Sequence, residues 1–307
     1  MTKFHNVSSI SQRYSIATLE ENIKSFLDWS FLQIGGFINV DSATEDMRGN
    51  HFNVLKPTES NPKIWQTARK DWVYETGVSV DGSSPTPISG IYIDSNFIAG
   101  PTGSGNNTYT INYPLGNIVF DNTISANANV RLNYSYRYIQ TYKSSDCVWW
   151  KELQKQTYLL ANHINNQADY KIDSLHRMQM PAIMIEIVPG TNLQPWGLGT
   201  TRNIIYQDVF LHIFTENINQ RNTISEILLY QKEKHFRLFD SKSAVADQKY
   251  TLNYNGSLNT NGYQYEQLIS NYPSLWCNID NSTTIEFNTF SSRLFGSTLK
   301  WIIEIFP

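Results

Sequence analysis

Cysteine is nearly absent from this chain. Of 307 residues only Cys147 and Cys277 are cysteines, too few and too far apart for a disulfide framework or a cysteine metal site. No apolar run approaches the roughly 20 residues that a membrane-spanning helix needs. The opening stretch, MTKFHNVSSISQRYS, lacks the apolar centre of a secretion signal. These absences imply a chain made in a cytosol and not held in a membrane, so the Asn-x-Ser/Thr sequons at Asn106, Asn133 and Asn255 carry no meaning. Charge of one sign is also lacking. A net charge of −3 supplies no basic field, which argues against nucleic-acid binding by phosphate neutralisation.

Catalytic patterns are equally scarce. GPTGSG and GLGTT are glycine-rich, but neither is a Walker sequence, and GPTGSG leads into a strand rather than a phosphate-holding helix N-terminus. The histidines His5, His51, His163, His176, His212 and His235 show neither HxH nor HExxH spacing, and His212 reads as a hydrogen-bonded sheet histidine. No serine sits in a G-x-S-x-G context. Glu186 (in IMIEIV) and Glu304 (in WIIEIF) lie in apolar strands, and a buried pair facing across a sheet would suit hydrolase chemistry. Alternation equally allows both to point outward, or to meet a cation such as Arg202 or Lys300 across a subunit seam. No cofactor and no metal are implied.

What is present is apolar and aromatic. Hydrophobic residues make up 40% and aromatics 13%, enough for a sizeable core and weighted towards β structure. The clearest unit is Gln207 to Asp240. QDVFLHIFTE alternates Val209, Leu211 and Ile213 against Phe210, His212 and Phe214, a strand covered on both faces. Asn217 or Asn219 then caps a helix whose stripe is Ile218, Arg221, Ile224, Ser225, Ile227 and Leu228 or Leu229. Lys232, Lys234 and His235 close that helix, and HFRLFD returns to strand.

Towards the N-terminus, Thr18-Leu19-Glu20-Glu21 reads as a capping box. Leu19, Ile23, Phe26, Leu27 and Phe31 line the following helix, Gly35-Gly36 stops it, and GFINV is a strand. Asp41 to Pro62 reads as loop and Lys63 to Trp72 as a short helix placing Trp65 and Trp72 in a core. From Tyr74 to Tyr142, short alternating segments (SGIYID, TYTINY, NIVFD, NVRLNYSYRYIQTY) are separated by turns, with Tyr113–Asn117 a tight turn between two strands. Asp146 to Gln167 is predicted helical, PAIMIEIV a central strand, and PGTNLQPWGLGTT a loop. Asp240 to Tyr272 resists assignment, and STTIEFNTF and STLKWIIEIFP close the chain as strands. The expected fold class is α+β: an α/β body with a mostly antiparallel sheet and packed helices, carrying an inserted small all-β, sandwich- or barrel-like domain. Residues 1–62 and 144–307 would form the body and residues 63–143 the insert.

The succession PAIMIEIV, PWGLG and QDVFLHIFTENINQRNTISEILLYQKEKHFRLFD resembles virion structural proteins of tailed bacteriophages, of the neck and tail-terminator kind. EENIKSFLDWSFLQIGGFINV and YTINYPLGNIVFDNTISANANVRLNYSYRY share that likeness. The Tyr74–Tyr142 stretch departs from a compact terminator. The resemblance implies a non-enzymatic subunit of the head-to-tail connector, joining portal or neck to tail tube or sheath. It further implies a ring homo-oligomer (hexamer or dodecamer), other virion proteins as partners, DNA only as channel content, and location in the virion after assembly in the host cytoplasm. Interface candidates are then Glu186, Trp196, Arg202, Glu304, Tyr134, Tyr136 and Tyr138. Two alternatives remain: a glycan-binding or adhesin-type β protein stacking sugars on its aromatics, and a carboxylate-dependent hydrolase using Glu186 and Glu304.

Overall fold

A computed structural model describes residues 16–44, 51–58, 61–100, 102–103, 105–146, 179–195, 203–291 and 294–306. The chain divides into two compact units: residues 1–27, 141–243 and 269–307 form one, residues 28–140 and 244–268 the other. The described residues are mixed α/β with mostly antiparallel sheets and few helices. None of their helices is long and apolar enough to cross a membrane. The predicted helix at Asp146–Gln167 falls almost wholly outside the described residues.

The first unit is built on a six-stranded sheet. Its strands are β10 (Gln140–Lys143), β11 (Ala182–Pro195), β12 (Asn203–Thr215), β13 (His235–Phe239), β14 (Pro273–Ser291) and β15 (Leu294–Phe306). Their order across the sheet is β10-β11-β12-β15-β14-β13. The alternation in the sequence becomes two faces. Val209, Leu211 and Ile213 of β12 share one face with Leu299, Trp301, Ile303 and Ile305 of β15, and all are buried. Each such side chain contributes roughly 1.5–3 kcal/mol by leaving water.

Helices α1 (Ile16–Gln33) and α2 (Ile218–Leu229) cover that face. Phe26 of α1 stacks on Phe236 of β13 at 4.9 Å, and the Ser225 and Ser297 hydroxyls bond at 2.7 Å between α2 and β15. Trp301 Nε1 donates to the Leu228 carbonyl in the last turn of α2, which also accepts from the Gln231 N–H and the Ser282 hydroxyl. As expected, Asn217 caps α2 by accepting from the Asn219 N–H, and Arg221, Ile224, Ser225 and Leu228 are its buried stripe. Two shorter helices, α3 (Ser241–Ala246) and α4 (Tyr265–Asn271), occupy the stretch that pattern left unassigned.

The second unit carries three small sheets. One pairs β1 (Phe37–Val40) with β9 (Tyr134–Arg137). Another orders β2 (Lys56–Thr58), β3 (Asn61–Gln66), β7 (Asn117–Phe120) and β6 (Tyr109–Asn112) as β2-β3-β7-β6. The third orders β5 (Asn96–Ala99), β4 (Gly90–Ile93) and β8 (Val130–Arg131) as β5-β4-β8. Their shared core includes Trp65, Trp72, Ile91, Tyr109, Ile118, Phe120 and Tyr134. The Tyr113–Asn117 turn joins β6 to β7 as predicted. Gly116 there has φ +61, and a Cβ would lie 2.4 Å from the Arg69 carbonyl oxygen, so glycine is required.

Four local expectations are corrected. Lys63–Trp72 is not a helix: β3 pairs Trp65 between Pro57 and Ile118, and this cross-strand partner decides a stretch too short to hold a helix alone. Trp65 and Trp72 are nevertheless both buried, as expected. The Asp41–Pro62 loop contains β2 and the start of β3. The loop after PAIMIEIV is shorter than expected, because the ladder resumes at Thr191↔Gln207 after an irregularity around Gly190 (φ +124) and continues to Pro195. The capping box is absent. Helix α1 already includes Ile16, and the Glu21 carboxylate accepts from Lys143 Nζ at 2.7 Å instead of serving the helix start.

Candidate functional site

The polar face of the six-stranded sheet gathers several titratable side chains of the first unit. Antiparallel register sets His212 of β12 directly opposite Thr298 of β15, and Thr298 opposite Glu286 of β14. Glu186 of β11 lies one diagonal step from His212. The side chains join into a row across four strands: Glu186 Oε2 to His212 Nε2 at 3.1 Å, His212 Nδ1 to Thr298 Oγ1 at 3.1 Å, and Thr298 Oγ1 to Glu286 Oε1 at 3.3 Å. His212 and Thr298 are buried. The expectation of a hydrogen-bonded sheet histidine is met.

Donor and acceptor roles follow from the ends. A carboxylate accepts, so His212 donates from Nε2 to Glu186. The direction of the bond between Nδ1 and the Thr298 hydroxyl depends on the ring tautomer, and that hydroxyl also lies within donating distance of Glu286.

Two further groups flank this row. Lys300 Nζ meets Asp208 at 2.6 Å, so the cation expected to answer a glutamate across a seam answers an aspartate within the chain. Glu304 accepts from Asn278 Nδ2 at 3.0 Å and is hydrogen-bonded to Tyr206, which, with burial, raises the phenol above its ordinary range.

The two glutamates singled out by sequence share this face but do not meet. Glu186 is level with Phe210 and Glu304 with Tyr206 on the strand between them, which places their Cα atoms roughly 17 Å apart from ordinary strand spacing and rise. Each has its own partners. Hydroxyl, imidazole and carboxylate occur in sequence at Thr298–His212–Glu186. Thr298, however, sits mid-ladder between two strands, where backbone N–H groups serve the sheet rather than a developing oxyanion. Cys277 is buried on the helix-covered face, and burial pushes its thiol far up, leaving it inert as a nucleophile. Among the described residues no group of three or more His, Cys, Asp or Glu is arranged to hold a metal.

Tyr134 and Tyr136 are buried in the second unit's core, so their rings do not form a sugar-stacking or docking surface, and Tyr138 is half-buried. Trp196 and Arg202 lie outside the described residues. Sequence reasoning missed Thr298, Glu286, Asp208, Tyr206 and Asn278. The only signal for them was polar residues at alternate positions of apolar strands, and register alone makes them neighbours.

No protein-family profile matches this chain, and no curated protein matches it.

Proposed function

We propose that this chain is a structural subunit of the head-to-tail connector of a tailed bacteriophage, assembling as a closed ring between portal or neck and the tail. One observation carries the reading: the conspicuous polar side chains of the sheet bond to one another rather than converging on a vacant centre. Glu186, His212, Thr298 and Glu286 form one row, and Lys300–Asp208 and Tyr206–Glu304–Asn278 form two more, with Asn278 Oδ1 left without a partner among the described residues. That is how a scaffold treats buried polarity. The resemblance of the β11 to β13 sequence to neck and tail-terminator proteins supports the same conclusion. Strands β1 to β9 belong, on this reading, to an inserted β module available for contact with neighbouring virion proteins, whereas β10 joins the six-stranded sheet.

Sedimentation and negative-stain imaging of the purified full chain, alone and with portal or tail-tube protein, test the reading. Closed rings, or capture into a ring by either partner, are expected. A strict monomer ignoring both partners overturns it, as do discrete trimers. Hydrolysis of glycan or peptidoglycan by the wild-type chain, abolished in Glu186→Gln or Glu304→Gln, would overturn it in favour of an enzyme.

A further inference from the structure

The loop between α3 and α4 carries the two Asn–Gly pairs of the sequence, Asn255–Gly256 and Asn261–Gly262, both with exposed asparagines. Such a pair can react with itself, because glycine has no Cβ to keep its peptide nitrogen away from the asparagine side chain. The glycine nitrogen attacks Cγ, the Cγ–Nδ2 bond breaks, and ammonia leaves with the glycine amide proton. Water then opens the cyclic imide. Opening at Cγ gives aspartate. Opening at the main-chain carbonyl gives isoaspartate, in which the chain runs through the former side chain.

The two pairs are equally restrained at the attacking nitrogen. Gly256 N–H donates to the Asn253 carbonyl and Gly262 N–H to the Asn259 carbonyl, each at 2.9 Å. They differ at the amide that is attacked. Asn255 Oδ1 accepts from the Ser257 N–H at 3.1 Å and from its hydroxyl at 2.7 Å. The neighbouring turn holds the same pair from outside: Asn112 Nδ2 donates to the Asn255 carbonyl at 2.9 Å, and the Tyr113 N–H to the Gly256 carbonyl at 3.0 Å. Asn261 is tied only through its main chain, its N–H donating to Asn259 Oδ1 at 3.1 Å and its carbonyl accepting from Lys249 Nζ at 3.2 Å. That ammonium also lies over the Tyr263 ring at 5.2 Å. The Asn261 side-chain amide has no hydrogen-bond partner among the described residues and is free to turn onto Gly262.

We propose that Asn261 is a self-modifying site, losing its amide as ammonia and ending chiefly as isoaspartate, while Asn255 in the same loop is spared. Lys249 sets the product. The Asn261 carbonyl to which it donates is the one that water attacks on the isoaspartate branch, and this carbonyl becomes the new carboxylate. A cation already bonded to that oxygen draws charge from its carbon before the attack and meets the carboxylate after it. The reaction needs only water and the folded loop, so it proceeds whether or not the chain assembles into a ring.

To test this, the folded full chain is held in mildly alkaline buffer beside a sample unfolded in urea, and proteolytic peptides are followed by mass spectrometry. Amide-to-acid conversion raises the mass, whereas Asp81–Gly82, the one Asp–Gly pair, reacts without net mass change. In the folded chain Asn261 is expected to convert about fivefold or more faster than Asn255, and in urea the two are expected to convert at similar rates. Ser257→Ala is expected to speed conversion of Asn255. Lys249→Met is expected to lower the isoaspartate share at Asn261, read by fragmentation of the peptide. Circular dichroism checks that both variants are folded. Equal rates at the two asparagines in the folded chain, or no conversion there while the urea sample converts, overturn the site. So does conversion of Asn255 that is unchanged or slower in Ser257→Ala, because the serine would then not be what restrains it. An unchanged isoaspartate share in folded Lys249→Met overturns the role of the lysine.

Discussion

Arg137 is the side chain whose removal should cost this protein most. It lies on β9, almost entirely out of water, with Nη2 2.6 Å from Glu75 and Nε 3.4 Å from Asp71, and its guanidinium over the Tyr74 ring at 5.2 Å. Burial works against the charged guanidinium, but the Glu75, Asp71 and Asp28 carboxylates outweigh it and hold the group protonated at every accessible pH. The side chains of Glu75 and Asp71 are themselves 7% and 18% exposed, so solvent screens the cluster weakly. Arg137→Met keeps the length and removes the charge, leaving buried carboxylates uncompensated at a cost of about 3–5 kcal/mol. With a urea slope of about 2 kcal/mol/M, that lowers the unfolding midpoint by about 1.5–2.5 M.

Magnitudes also decide the second arm. Arg137 Nη1 has no hydrogen-bond partner among the described residues, so part of the desolvation cost of the guanidinium is not recovered. Replacing both partners, Arg137→Met with Glu75→Leu, should therefore be less damaging than the sum of the single changes by about 1.5 kcal/mol or more. Urea unfolding followed by tryptophan fluorescence and far-UV circular dichroism measures all three variants. An Arg137→Met loss under about 1 kcal/mol, or strict additivity in the double variant, would refute the account of Arg137 as the charge on which these carboxylates depend.

Alkali should unfold the second unit early. Burial, reinforced by Tyr113, pushes the Tyr109 phenol up to about 12, and burial also raises Tyr113, Tyr134 and Tyr136. With folded values above unfolded ones, stability is complete below pH 10 and falls from about pH 10 to 12; tyrosinate absorbance rising without loss of structure would count against this. Glu186→Gln should cost under about 1 kcal/mol because the amide oxygen still accepts from His212, whereas Thr298→Val, which strips His212 Nδ1 of its buried partner, should cost about 1–3 kcal/mol. Thermal melts showing the reverse order would break the hydrogen-bond assignment of that row. Asn22→Ala frees two buried backbone groups of Phe239 and should cost about 1–3 kcal/mol, with faster hydrogen exchange confined to β13; unchanged exchange there would dismiss its role as an edge stop.

What could be read from sequence was what depends on near neighbours. The α1 stripe of Leu19, Ile23, Phe26, Leu27 and Phe31 is buried throughout, because helical spacing alone puts these residues on one side. The β12–α2–β13 unit and the β14–β15 hairpin were legible for the same reason, as was the Asn217 cap. Where two periods fit, a distant partner decided: Trp65 and Trp72 suit one helical face, but β7, some fifty residues on, made β3 a strand. Alternation put Tyr134 and Tyr136 on one side of β9 but did not say that this side faces a core. His212 was legible as a sheet histidine, whereas its partner Thr298 is 86 residues away and Glu186 is 26, distances at which only register makes neighbours.

The same distinction separates charges that hold the fold from charges left to meet a partner. Glu186 and Glu304, which sequence offered as interface carboxylates, are already engaged by His212, Tyr206 and Asn278, so breaking those bonds to serve a seam would sacrifice contacts the subunit already has. Lys300 is engaged likewise by Asp208. Lys232, Lys234 and Lys242 are different: exposed, unpaired among the described residues and gathered at one sheet edge, they lose nothing internal on meeting carboxylates. An exposed pair contributes only about 0–1 kcal/mol by itself. In the proposed ring such a pair recurs at every seam and no subunit leaves without breaking two, so weak charged contacts suffice to set orientation.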